Sequence, residues 1–205
     1  MKRKLLLSLL GFFIIILSNA QVKISEVYFD SNFDEGIGSN DHHYGEFIEL
    51  YNRSNQSIDL SNWILTDNVG GMSLPQGTII EPQGFIVITY GATTGTYANI
   101  FSSLFPEAQG HQSKTIYQRN IEFNNKGDYI ILKDNTGKVI DQLYYSKSDL
   151  CKGLGANTTG YCYKTTIDNQ FGGSYTTAIN KDYTYSIQRQ NFDNNSLLVA
   201  AKATP

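Results

Sequence analysis

The feature that most constrains this chain is a succession of short β-forming runs, each closed by turn residues. Residues 22–29 (VKISEVYF), 46–51 (EFIELY), 58–65 (IDLSNWIL), 84–90 (GFIVITY), 128–132 (DYIIL), 138–145 (KVIDQLYY) and 183–187 (YTYSI) are rich in branched and aromatic side chains. Between them stand residues 67–71 (DNVGG), 75–77 (PQG) and 82–84 (PQG). In the last of these turns Pro82 is expected to set one corner and Gly84 to admit a positive φ at the other. Residues 133–137 (KDNTG) read as a hairpin loop, Ser61 and Asn62 as a bend, and residues 98–104 as a short helical turn. No segment holds a 3.6-residue period over a dozen residues. About seven or eight short strands with frequent turns imply an all-β sandwich or barrel built on one core.

The first twenty residues have a different logic. Lys2, Arg3 and Lys4 precede an apolar run from Leu5 to Leu17, broken by Ser8 and Gly11, and the small residues Ser18 and Ala20 follow. This is the pattern of a signal peptide cleaved between Ala20 and Gln21, leaving one domain over residues 21–205. The run is shorter than the ~20 apolar residues that span a bilayer. The residue directly after the cleavage point is Gln21 and not Cys, so a lipoprotein is not expected, and no membrane span is expected after cleavage. The chain is expected to be exported: secreted, periplasmic or at the cell surface. Its formal net charge of −3 becomes 13 − 19 = −6 without the three basic residues. A mildly acidic surface offers no general attraction to nucleic acid, which is not expected as a partner. Cys151 and Cys162 enclose ten residues, three of them Gly. In an oxidising compartment they are expected to form a disulfide worth roughly 3 kcal/mol. With no His nearby they make a poor zinc site.

Three stretches read as long inserted loops: residues 30–45, acidic and polar; residues 91–120, rich in Gly, Thr and Ser; and residues 146–181, which hold both cysteines. Loops of this length in a compact domain are more often functional than core.

The order of motifs resembles the lamin tail domain family. The matching pieces are Ile24-Ser25-Glu26-Val27, Glu46-Phe47-Ile48-Glu49-Leu50-Tyr51-Asn52, the run from Ile58 through Trp63 to Asp67, Leu74-Pro75-Gln76-Gly77-Thr78, the run from Ile80 through Pro82 and Gly84 to Ile88, Asn125-Lys126-Gly127-Asp128-Tyr129-Ile130-Ile131-Leu132, and Gly137-Lys138-Val139-Ile140-Asp141. Ser186-Ile187-Gln188-Arg189 is similar to the family's closing segment. The resemblance implies an immunoglobulin-like β-sandwich of the kind found in nuclear filament proteins and, behind signal peptides, in exported bacterial proteins. The bacterial members are regarded as non-catalytic interaction modules, and the leader here resembles theirs. The three insertions depart from the family pattern.

The sharpest local chemistry lies in the first insertion. Asp30, Asn32, Asp34 and Asp41 are oxygen-bearing residues at calcium-loop spacing, although an EF-hand wants Gly at the sixth position, where Glu35 stands. Calcium is therefore the expected ion of a looser loop, if any, and no cofactor is required. His42, His43 and the distant His111 lack evident metal partners. Glu26 and Glu49 form a candidate carboxylate pair, and their bland reading is strand-edge polarity or pairing with Arg or Lys. Trp63, the sole tryptophan, reads as core, with carbohydrate stacking as its alternative. Tyr97, Tyr117, Tyr161, Tyr163, Tyr175, Tyr183 and Tyr185 lie in or near the insertions and suit adaptable contact surfaces. Asn52-Arg53-Ser54 is one of four N-glycosylation matches that chance explains in an Asn-rich chain. No nucleophile elbow or P-loop is present. The expectation is an exported, non-catalytic module binding a protein or glycan partner through its loops. The alternatives are a small metal-dependent exported hydrolase or nuclease using residues 30–43, and self-association through a sheet edge.

Overall fold

The computed structural model of the chain describes residues 21–31, 43–95, 98, 100–108, 114–124 and 127–147, with three further strands at 161–165, 185–189 and 198–202. The elements are β1 (Val22–Tyr28), β2 (Phe47–Asn52), β3 (Ile58–Asp59), β4 (Ile64–Thr66), β5 (Gly71–Ser73), β6 (Ile79–Ile80), β7 (Phe85–Tyr90), α1 (Ile100–Leu104), β8 (Thr115–Gln118), β9 (Gly127–Lys133), β10 (Val139–Lys147), β11 (Tyr161–Thr165), β12 (Tyr185–Arg189) and β13 (Leu198–Lys202). One sheet has the order β13-β12-β1-β2-β7-β8, the second β11-β10-β9-β4-β5, and β3 pairs with β6. Among the described strands every pairing is antiparallel except β7 with β8.

Alternation places the core between the two sheets. Along β9, Asp128, Ile130 and Leu132 are buried while Tyr129, Ile131 and Lys133 are half-buried, the period-two signature of one inward face. Ile24, Val27, Ile48, Leu50 and Ile88 come inward from the first sheet and meet Leu65, Ile130, Leu132, Leu143 and Tyr145 of the second. Trp63 is half-buried and packs against this cluster, consistent with its core reading. The arrangement is an all-β immunoglobulin-like sandwich.

The sandwich differs from its sequence expectation in three ways. First, β1, β2 and β7 are buried on both faces apart from half-buried Tyr51 and exposed Phe85. Tyr28, Phe47 and Val87 form a second apolar cluster, which Phe101, Phe105 and Ala108 join. Phe47 meets Phe101 and Phe105 edge-on at 5.8 and 5.3 Å. Part of the second insertion is therefore a packed layer. It also supplies the long crossover that a parallel β7–β8 pair requires. Second, β11 lies inside the third insertion and continues the β9–β10 meander. Third, the positive φ in the Pro82 turn falls on Gln83, at 55°, and not on Gly84. Gly84 instead donates its N–H to Glu81 at 3.0 Å as the fourth residue of the turn. The bend at Asn62 (φ 61°) and the loop glycine Gly137 (φ 85°) match expectation.

Two β-bulges face one another across the sandwich. The β1–β2 register shifts between Ile24 and Glu26, and the β9–β10 register between Val139 and Asp141. Asp141, fully buried, accepts the Ile24 N–H on Oδ2 at 2.9 Å and Arg189 Nη2 on the same oxygen at 2.8 Å. Arg189 Nε donates to the Ile24 carbonyl at 3.0 Å. The backbone groups of Ile24 thus find partners in side chains from β10 and β12.

If α1 is structural, Phe101→Ala removes a buried anchor of the second cluster. The expected loss is about 3–5 kcal/mol, read as a lower denaturant midpoint, whereas Val69→Ala at an exposed site should change stability by no more than about 0.5 kcal/mol.

Candidate functional site

The first insertion is rooted at one end of the sandwich, where an irregular but buried segment, residues 121–124, runs between β8 and β9. Ile121 and Phe123 are buried, so the segment's N–H groups need acceptors away from water. Three carboxylates from three places supply them in succession. Asp67 Oδ2 accepts from Glu122 N at 2.7 Å, Glu46 Oε2 from Phe123 N at 3.2 Å, and Asp128 Oδ2 from Asn124 N at 3.1 Å. The second oxygens of Asp67 and Asp128 are also engaged by backbone. Asp67 Oδ1 caps Val69 and Gly70, and Asp128 Oδ1 accepts from Asn68 and Tyr129. Burial raises the Asp128 carboxyl above its ordinary value despite these donors, and Asp67 adds to the rise. Gly70 must be glycine: a Cβ there would lie 2.2 Å from the Asn120 carbonyl.

Beside this knot lies an aromatic and cationic patch. The exposed Arg119 guanidinium sits 5.3 Å from the Tyr44 ring centre and 5.8 Å from that of Tyr90. The two rings meet edge-on at 5.3 Å. Burial holds the Tyr90 phenol above its usual range, and it donates to Glu122 at 3.3 Å. His43 Nδ1 lies 2.9 Å from Glu46 Oε2, both side chains being buried. Ser31 donates to the Tyr44 carbonyl at 2.7 Å, closing the base of the insertion.

Of the expected metal ligands, Asp30 is placed at this base, half-buried after the end of β1. Asn32, Asp34 and Asp41, together with His42 and His111, lie outside the described residues. So do Cys151 and the side chain of Cys162, and with them the disulfide. Among the described residues no group of three or more His, Cys, Asp and Glu is arranged to hold a metal ion, and no helix is long and apolar enough to cross a membrane. Tyr117 is half-buried against the second apolar cluster. Tyr97, Tyr175 and Tyr183, and the side chains of Tyr161, Tyr163 and Tyr185, fall outside the description. Asn52 is fully buried and its Nδ2 donates to the carbonyls of Gln56, Ile80 and Glu81, so this glycosylation match is a structural asparagine.

The carboxylate pair is real but not at an edge. Glu26 and Glu49 are register partners on β1 and β2, both interior strands, and both are buried. Ser186 Oγ donates to Glu26 Oε1 at 2.5 Å, and Ser25 Oγ to Glu49 Oε1 at 2.6 Å. Burial pushes the Glu49 carboxyl up to about 8, opposed by the Ser25 hydroxyl and assisted by the neighbouring Glu26 charge.

Fold and site together define an immunoglobulin-like sandwich whose end-loop carboxylates hold backbone in place. The family model described as Lamin Tail Domain matches residues 17–147, and the chain belongs to that family. Compared with curated proteins, the chain gives no match.

The Glu49 shift has a definite sign. Unfolded, the group releases its proton near 4.5, whereas folded it keeps it to about 8. Between these values the folded state binds more protons, so stability is greatest below the lower value and falls as pH rises towards the upper one, with a limiting slope of about 1.4 kcal/mol per pH unit. Chemical denaturation of wild type and Glu49→Gln across this range should show the slope in the former and its loss in the latter. Parallel profiles would refute the assignment.

Proposed function

We propose that this chain is an exported, non-catalytic immunoglobulin-like module that binds a protein or glycan partner through the loops at the Arg119 end of the sandwich. The observation that carries this reading is the Arg119 patch: an exposed guanidinium held over two buried tyrosine rings at the root of the first insertion. The rings need no reordering to present that cation, which lowers the entropic cost of binding. Export is supported by Lys2, Arg3, Lys4, the apolar run behind them and the small residues Ser18 and Ala20. Family membership supports an interaction module rather than an enzyme.

A calcium ion held by Asp30, Asn32, Asp34 and Asp41 would stiffen the loop beside the patch. A native-state ligand at ~100 times its Kd stabilises by about 3 kcal/mol. The unfolding midpoint should therefore rise in Ca²⁺ against EGTA, and the rise should vanish in Asp34→Ala. An unchanged midpoint at saturating Ca²⁺ removes the ion from the proposal.

Binding is tested by presenting the chain from Gln21 onward to glycan panels and to candidate cell-surface proteins. Arg119→Ala should cost no more than about 1 kcal/mol of stability through its lost ring contacts and weaken binding roughly tenfold or more. Turnover of phosphodiester or glycoside substrates that is lost in EDTA would replace the module reading with a hydrolase.

A further inference from the structure

Lys23 and Asp141 are both completely buried, and each carries an atom without a hydrogen-bond partner: Lys23 Nζ and Asp141 Oδ1. The two atoms lie 3.7 Å apart. That distance is too long for a hydrogen bond, and it leaves the amine beside the carboxylate with no other group between them. The other carboxylate oxygen is fully occupied. Oδ2 accepts from the Ile24 N–H at 2.9 Å and from Arg189 Nη2 at 2.8 Å. One oxygen of Asp141 is thus polarised by two fixed donors, the arrangement that stabilises a tetrahedral oxyanion, while the other oxygen faces an amine. The bulges at Ser25 and Ile140 bring the two strands into this relation.

We propose that Lys23 and Asp141 condense into an intramolecular amide that joins β1 to β10. One ammonium proton passes to Asp141 Oδ1, and the freed Lys23 Nζ lone pair forms a bond to Asp141 Cγ. Charge gathers on Oδ2, between the Ile24 N–H and Arg189. The Cγ–Oδ1 bond then breaks, and Oδ1 departs as water with two of the three ammonium protons. An ammonium and a carboxylate become a neutral amide and one water, and nothing is oxidised or reduced.

The surroundings favour each step. Burial, with Arg189 and Arg53 nearby, holds the Lys23 amine below its ordinary range against the opposing pull of Asp141, which populates the nucleophilic form. Exclusion of bulk water disfavours the reverse hydrolysis. Before reaction the cluster of Lys23, Arg189 and Asp141 holds two cations and one anion, and afterwards Arg189 alone. Its net charge is unchanged, the repulsion between Lys23 and Arg189 is gone, and Arg189 still has a carbonyl oxygen to bond. Oδ1 leaves with the water, and Nζ exchanges its charge for a single amide N–H.

The test is the intact mass of the folded, reduced wild-type chain. The expected mass is lower than that of its sequence by one water, and digestion yields a branched peptide containing both Lys23 and Asp141. Lys23→Arg and Asp141→Ala should each restore the full mass. Arg189→Lys should slow the mass change after refolding by roughly tenfold or more. A full-mass wild type with native near-ultraviolet circular dichroism overturns the proposal. So does a water loss that maps to a succinimide elsewhere in the chain. Because the decisive reading is made on the wild type, a variant that fails to fold does not protect the idea.

Discussion

Asp141 is the junction on which the sandwich depends. A bulge interrupts the ladder of β1 beside Ile24, leaving a buried N–H and carbonyl to be satisfied by side chains. Asp141, from the opposite sheet, takes the N–H, and Arg189, from the neighbouring strand, takes the carbonyl and binds Asp141 in turn. Loss of either partner would strand polar groups in a dry interior, where the penalty exceeds the net worth of the bond itself. The same contacts dock β12, and among the described strands β13 pairs with β12 alone. Residues beyond the 17–147 family match therefore help to close a core that lies within it.

The double burial of the first sheet follows from what its strands carry. Outward-facing Tyr28, Phe47 and Val87 would form an apolar surface if bare. Phe101, Phe105 and Ala108 join them, so a stretch with loop-like composition is part of the folded body. The carboxylates at the sandwich end follow a related rule. Asp67, Glu46 and Asp128 each receive a main-chain N–H from a segment that has no strand partner, and this occupation explains why acidic residues gather there.

Much of this was legible in the sequence. The alternation in β9 and β10, the Gly137 hairpin and the bend at Asn62 follow from local side-chain chemistry. The short strands β5 and β6 did not stand out, because two or three residues beside Gly or Pro read as turn. β8 was hidden for a different reason: its parallel partner is reached only through a long crossover, which leaves no local pattern. Glu26 and Glu49 were visible as a pair, but their interior position depends on β12 and β7 flanking them, a tertiary fact. Lys23, Asp141 and Arg189 looked like ordinary polar positions within strands. Their meeting depends on three strands from two sheets and on register shifts beside Ile24 and Asp141, and a one-residue bulge has no dependable sequence mark.

The order β13-β12-β1 has a mechanical consequence. Both outer members of this trio run antiparallel to β12, so β1 and β13 point the same way. Tension that pulls the chain at Val22 and at Lys202 in opposite directions acts along the strands. Because the ladder bonds lie across that axis, they share the load in shear instead of opening one after another like a zipper. Force entering at Val22 also meets the Lys23–Asp141 contact almost at once, and so passes into the opposite sheet as well as along its own.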